Sequence, residues 1–340
     1  AGIGVSSSHL VQVINSRFNR IDHIGLGYSL MVGEFVLGLT MANCIGDRGR
    51  HFMTTTGEAG IARDISVTGN TFRGSILGAI APHAQGYDVT IQGNHISDCN
   101  VGIISRSPNT IIKGNTLVNC GIPNVSSVQK TIADQHAIYA CEQGHINLVV
   151  DSNHILCDAA RWHGLIHNQT MYGNAILVNG NPSETGHAEF SNEFVIIKSN
   201  TIQPLPHGVA IGVSSSDGTW EGRAFGTTVP PTHYPRRVHV QDNTIVGPGE
   251  YTPISVGGGS DVGANRIDAF LSGNTIDSAG TSATLPQIHA SQLKTLTMEH
   301  NTLPAALDPA TPAIRIDTVG DVHISSTTLS PGPESTSSSG

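Results

Sequence analysis

One pattern recurs along this chain: apolar, any, apolar, any, any, Asn, any, apolar. It reads ISVTGNTF from Ile65, VTIQGNHI from Val89, TIIKGNTL from Thr110 and LVVDSNHI from Leu148. It continues as VIIKSNTI from Val195, VHVQDNTI from Val238, AFLSGNTI from Ala269 and LTMEHNTL from Leu296. Three imperfect copies start at Val11, Leu39 and Val322 and carry Ser16, Cys44 and Thr327 in the Asn slot. Successive slots are 28, 26, 24, 21, 38, 47, 43, 31, 27 and 26 residues apart. The repeat fills the chain, so residues 1–330 read as one domain, and the Ser/Pro/Gly-rich residues 331–340 read as a flexible tail.

The alternation before each slot is that of a strand with one buried face. The Asn ends the strand, because it tolerates left-handed backbone and its amide bonds to neighbouring backbone. If successive copies stack, the Asn side chains form a ladder. A second apolar strand follows most slots, as in GAIAP from Gly78, HAIYA from His136 and NAILV from Asn174. Each unit therefore offers two or three short strands and no helix pattern. A propeller blade needs about 40–45 residues, which the 21 residues from Asn94 to Asn115 cannot supply. A leucine-rich repeat wants Leu eight positions before the Asn, and only Leu293 complies among the eight full copies. A parallel β-helix predicts what is seen: a fixed core pattern, with insertions of variable length leaving as loops. We expect an all-β solenoid of about eleven coils, roughly 50 Å long at ~4.8 Å per coil.

Composition narrows the function classes. Charged residues make up 13% of the chain, about half the ~25% usual for soluble domains. The net charge of -9 and the lack of any basic stripe argue against nucleic acid as a partner. No apolar run approaches the ~18 residues a membrane span needs. Five scattered cysteines indicate neither a disulfide framework nor a zinc site. His163 and His167 have a zinc-like spacing but no Glu between them, and no dense acidic run supports calcium, so no metal or cofactor is expected. The chain starts at Ala1 without a leader, and we expect a native product that is longer at its N-terminus.

The V-x-I-x-G-N-x-I strands, the G-I-x-[VI] second strands and the coil lengths resemble the right-handed parallel β-helix, or pectate-lyase-like, superfamily. The resemblance runs from Val11 to Leu329 and is specific for fold. It implies an enzyme acting on polysaccharides, since members include lyases, polygalacturonases, epimerases and phage tailspike depolymerases. The chain most resembles the body of a tailspike. That likeness implies a homotrimer placed outside the cell or on a virion surface.

Insertions in a solenoid land on one face and often make the binding surface. The longest coils lie between Gly121 and Arg237, with both tryptophans, Trp162 and Trp220; six of the 17 histidines fall between Asp134 and Glu189. The sharpest local feature is ADQHAIYACEQGH from Ala133. If Ile138 points inward, Tyr139 points outward, and Asp134, His136 and Glu142 flank the strand. Glycoside hydrolysis needs two carboxylates about 5–10 Å apart, one as acid and one as base or nucleophile. Asp134 and Glu142 are candidates, as are Glu184 and Glu189 from the next coil. Trp162, Trp220, His163 and Arg161 would line the glycan groove. A lyase or epimerase acting on a uronate polymer would instead use His136 or Tyr139 as base and Arg161 to neutralise the substrate. A non-catalytic glycan-binding shaft would share every coil feature and lack the convergent acids. A second polar cluster, Asp47 to Asp64, includes Glu58 as a groove candidate but reads mainly as a structural salt network. Cys99 and Cys120, each five positions after a slot, are expected to stack as small buried residues.

Overall fold

The computed structural model describes residues 2–21, 23, 27–55, 61–83, 85–121, 136–140, 147–157, 174–179, 194–204, 208–214, 219–220, 223–224, 235–247, 251–257, 267–277, 285–304 and 310–330. These residues form a parallel β-helix of eleven coils. No helix among them is long and apolar enough to cross a membrane. Each coil contributes one strand to each of three parallel sheets. In the third coil these are His51–Thr55, Ala62–Thr68 and Thr71–Arg73; in the sixth they are Ile138–Ala140, Asn147–Asp151 and His154–Leu156. We call these the first, second and third sheets. The last two coils fuse their first two strands into Ile288–Glu299 and Ile314–Ser325.

Register makes the core. Along the first sheet, Leu30, Met53, Ile80, Ile103, Ile138, Ile176, Ile211, Ile254 and Ile288 stack rung on rung, and all of them are fully buried. A one-residue slip would turn such a column outward, so this pattern fixes the register. Parallel strands cannot be joined by tight hairpins, and crossover connections of this kind are right-handed in about 98% of cases.

The slot asparagines form the expected ladder. From Asn70 through Asn94, Asn115, Asn153, Asn200, Asn243 and Asn274 to Asn301, each Nδ2 donates to the Oδ1 of the next at 2.9–3.0 Å. Each backbone N–H bonds the same oxygen, and each Nδ2 also reaches back to a carbonyl of the preceding coil, as Asn94 does to Val67 at 2.8 Å. One expectation is corrected. The left-handed residue is not the Asn but the one before it: Asn43, Gly69, Gly93, Gly114, Ser152, Ser199, Asp242, Gly273 and His300 all have φ between 52° and 63°. The corner is turned one residue early, and this aims the following Asn side chain inward along the solenoid axis.

Part of the Asp47 to Asp64 segment, Glu58 included, lies outside the described residues. Arg63 reaches Asp88 on the next coil at 4.0 Å. The Arg50 guanidinium lies 5.1 Å over the Tyr28 ring and donates to its hydroxyl. Cys99 and Cys120 are buried on adjacent coils, and burial pushes the Cys120 thiol up.

Candidate functional site on the first sheet

The strand Ile138–Ala140 lies between Val101–Ser105 and Ile176–Asn179, with Tyr139 opposite Ile104 and Leu177. Alternation turns Tyr139 away from the Ile138 column, as the sequence requires. Its environment is nevertheless dry. Tyr139 is only 2% exposed and packs in a separate outer cluster with Ala81, Val101, Ile104 and Leu177. His136 is also buried, and its ring contacts Tyr139 at 4.7 Å.

The Nδ1 of His136 accepts the backbone N–H of Asn174 at 3.0 Å. In the neutral ring that places the proton on Nε2. The neutral His136 ring is thereby fixed in one tautomer and orientation. Asn174 is itself fixed from the next coil, its Oδ1 accepting the N–H of Val209 at 3.0 Å.

Further polar groups lie on this sheet; His51 and Arg50 belong to the Asp47 to Asp64 cluster, whereas Tyr28, His83 and Arg106 were not singled out by sequence reasoning. His51, opposite Tyr28 in register, stacks on the Tyr28 ring at 5.7 Å and donates from Nδ1 to the Gly78 carbonyl at 2.6 Å. His83 lies at the far end of the strand Gly78–Ala81, with Arg106 Nη1 3.1 and 3.2 Å from its two ring nitrogens. Contact with both nitrogens at once places the guanidinium against the ring rather than in its plane. Burial, with the positive charge of nearby arginines, lowers both histidines to about 3. They are neutral at physiological pH while Arg50 and Arg106 carry the charge. The signal in the sequence was the DRGRH run and the recurrence of a basic residue after successive first-sheet strands.

The remaining candidates, Asp134, Glu142, Arg161, Trp162, His163, Glu184, Glu189 and Glu58, lie outside the described residues. Trp220 belongs to a two-residue strand, Thr219–Trp220, paired antiparallel with Arg223–Ala224. Among the described residues no cluster of three metal-ligating side chains occurs.

No protein-family model matches the chain, and no curated protein matches it. Two solved structures are similar in fold. One is a mutant tailspike protein of E. coli bacteriophage HK620 in complex with a pentasaccharide, with TM-score 0.51 and 11% identity over 95% of this chain and 60% of that one. The other is the A-module of an Azotobacter vinelandii mannuronan C-5 epimerase, with TM-score 0.43 and 11% identity over 97% and 91% of the two chains. This chain thus spans 60% of the tailspike's length. The eleven stacked coils, the asparagine ladder and the tailspike likeness together make this chain a right-handed parallel β-helix.

Proposed function

We propose that this protein binds and cleaves a polysaccharide, hydrolysing its glycosidic bonds at the outer surface of the first sheet in the central coils. The observation that carries the reading is the contact between His136 and Tyr139, a polar pair buried just beneath that surface on the side away from the core column. In sequence, two carboxylates bracket them: Asp134 two residues before His136, and Glu142 two residues after Ala140. In the proposed step one carboxylic acid protonates the departing glycosidic oxygen. The other, ionised, activates water or attacks the anomeric carbon, so each cleavage yields one new reducing end. The tailspike whose fold is similar was solved with a pentasaccharide, which supports a glycan as ligand. The same reading includes a homotrimer outside the cell or on a virion surface; sedimentation tests the trimer.

A second reading has its own support. Arg50 and Arg106 on this sheet would neutralise a uronate carboxylate, and Tyr139 would take the proton next to it, giving elimination or epimerisation. Incubation with a panel of capsular and O-antigen polysaccharides separates the two. Hydrolysis releases reducing ends without an unsaturated uronate chromophore. Appearance of the chromophore, or of an inverted uronate without chain cleavage, contradicts hydrolysis. Retained binding with no product from any glycan supports a non-catalytic shaft.

A further inference from the structure

A furrow of about 650 Å³ runs across the outer surface of the second sheet. It lies on the strands Ala62–Thr68, Gly86–Gln92, Thr110–Lys113 and Asn147–Asp151, which are successive rungs. Its volume is that of a ligand site. It belongs to a different sheet from the His136–Tyr139 surface.

Two columns of side chains build it. One is a polar rail with a residue from each coil: Asp64, Asp88, Asn109 and Asn147. The amides are held from coil to coil, Asn109 Nδ2 donating to Asp88 Oδ1 at 3.0 Å and Asn147 Nδ2 to Asn109 Oδ1 at 3.1 Å. Asp64, Asp88 and Asn109 all have left-handed backbone, with φ from 53° to 56°, which Asp and Asn accept more readily than other side chains. The other column is the floor, which changes from hydroxyl to apolar along the axis: Ser66, Thr90, Ile111, Val149. In register, the floor continues into Ile196, His239 and Phe270. There the His239 ring lies 5.1 Å from Phe194 and 5.5 Å from Phe270.

The chemistry selects the occupant. A sugar ring has an apolar face of C–H groups and an edge of hydroxyls, which suits an apolar floor beside a rail of hydrogen-bonding groups. The rail repeats every ~4.8 Å, on the scale of one ring, so a linear glycan can meet a similar environment at each step. An extended peptide gains most from a free strand edge, and here the strands are paired on both sides. Two carboxylates face the furrow, with Arg63 as the cation beside Asp88 at 4.0 Å, so an acidic sugar is repelled.

We propose that this furrow is a second polysaccharide-binding site, which holds an uncharged glycan chain lengthwise along the solenoid and tethers the polymer while the first sheet works on it. The inference rests on the glycan reading above but makes its own demand on the second sheet. Its test is equilibrium binding of neutral and acidic O-antigen polysaccharides to the whole chain and to two variants. Thr90→Trp fills the furrow, and Ile111→Asp makes its floor polar; Thr90 is half-buried on the outer face and Ile111 is 42% exposed, so neither change enters the core. Each is expected to weaken binding of a neutral polysaccharide at least tenfold. Thermal midpoint and turnover of short oligosaccharides should stay as in the parent. Unchanged affinity in both variants overturns the inference while leaving the proposed cleavage intact. So does a loss confined to acidic polymers. Loss of short-oligosaccharide cleavage on Asp134→Asn, with long-polymer binding retained, supports both readings.

Discussion

Each inner ladder asparagine, from Asn94 to Asn274, uses its amide fully: Oδ1 accepts two hydrogen bonds and Nδ2 donates at least two, inside a column buried to 0–1% exposure. Asn115→Ala would leave the Asn94 N–H and Nδ2 and the Ile91 carbonyl without their partner. Each unsatisfied buried group costs about 1–3 kcal/mol, so we expect a loss of roughly 3 kcal/mol or more in urea unfolding. The reverse change is open at Cys44. Its N–H already bonds Asn70 Oδ1 at 2.9 Å, and its Sγ points at the Val13 carbonyl at 3.4 Å. Cys44→Asn extends the ladder by one rung and is expected to stabilise by about 1 kcal/mol in the same assay. His51 makes a pH prediction. Its folded pKa is about 3 against an ordinary 6.5, because burial disfavours the charged ring. The unfolded chain therefore takes up the proton first, and stability held above pH 6.5 is lost as pH falls toward 3. His83 acts in the same direction. Thermal midpoints should drop over that window, and His51→Gln should shallow the drop.

At the scale of strands, the sequence repeat placed two of the three sheets directly, because V-x-I before the slot and A-I-x-V after it alternate cleanly. The third sheet is built from strands as short as Thr201–Ile202 and Thr244–Ile245, too short for alternation to declare itself. It was visible only as the last apolar letter of the repeat. The ladder was legible from the Asn slots, but the corner was misassigned by one residue. A Gly, Ser, Asp or His before the slot carries no common chemistry; what those residues share is a backbone angle. A departure in the second coil shows how neighbouring elements compensate. In the third sheet the inward column runs Phe18, Gly46, Phe72. Phe52, from the adjoining first-sheet strand, fills the gap at Gly46 and stacks on Phe72 at 4.7 Å. A methyl at position 46 would land on the Phe52 ring. Gly46→Ala should cost about 1–3 kcal/mol by overpacking, and Phe52→Leu in the same chain should recover part of it, a coupling that a double-mutant cycle of unfolding free energies detects.

For the whole molecule, a stacked solenoid explains the scarcity of charge. Most positions are core columns or turns, and the charges that remain sit on outer faces, as in Lys113, Asp151 and Lys198 on three successive coils. The outer faces are also where sequence reasoning weakens. Core columns announce themselves by repetition, but Asp64 and Asp88 are 24 residues apart in sequence and become neighbours only through register. Arg50 and Arg106 likewise meet one surface from separate coils. The HAIYA strand was legible as outward-facing at Tyr139 because alternation is local, whereas its dryness and the Nε2 proton of His136 depend on neighbours no local pattern records. The central claim is that the coils around Ile138–Ala140 cleave a glycan with a carboxylate pair. Its most direct measurement compares reducing-end release and polysaccharide binding in the parent chain and in Asp134→Asn/Glu142→Gln. Release is expected to fall by at least a thousandfold in the double variant while binding persists. Release at the parental rate from the double variant would contradict it.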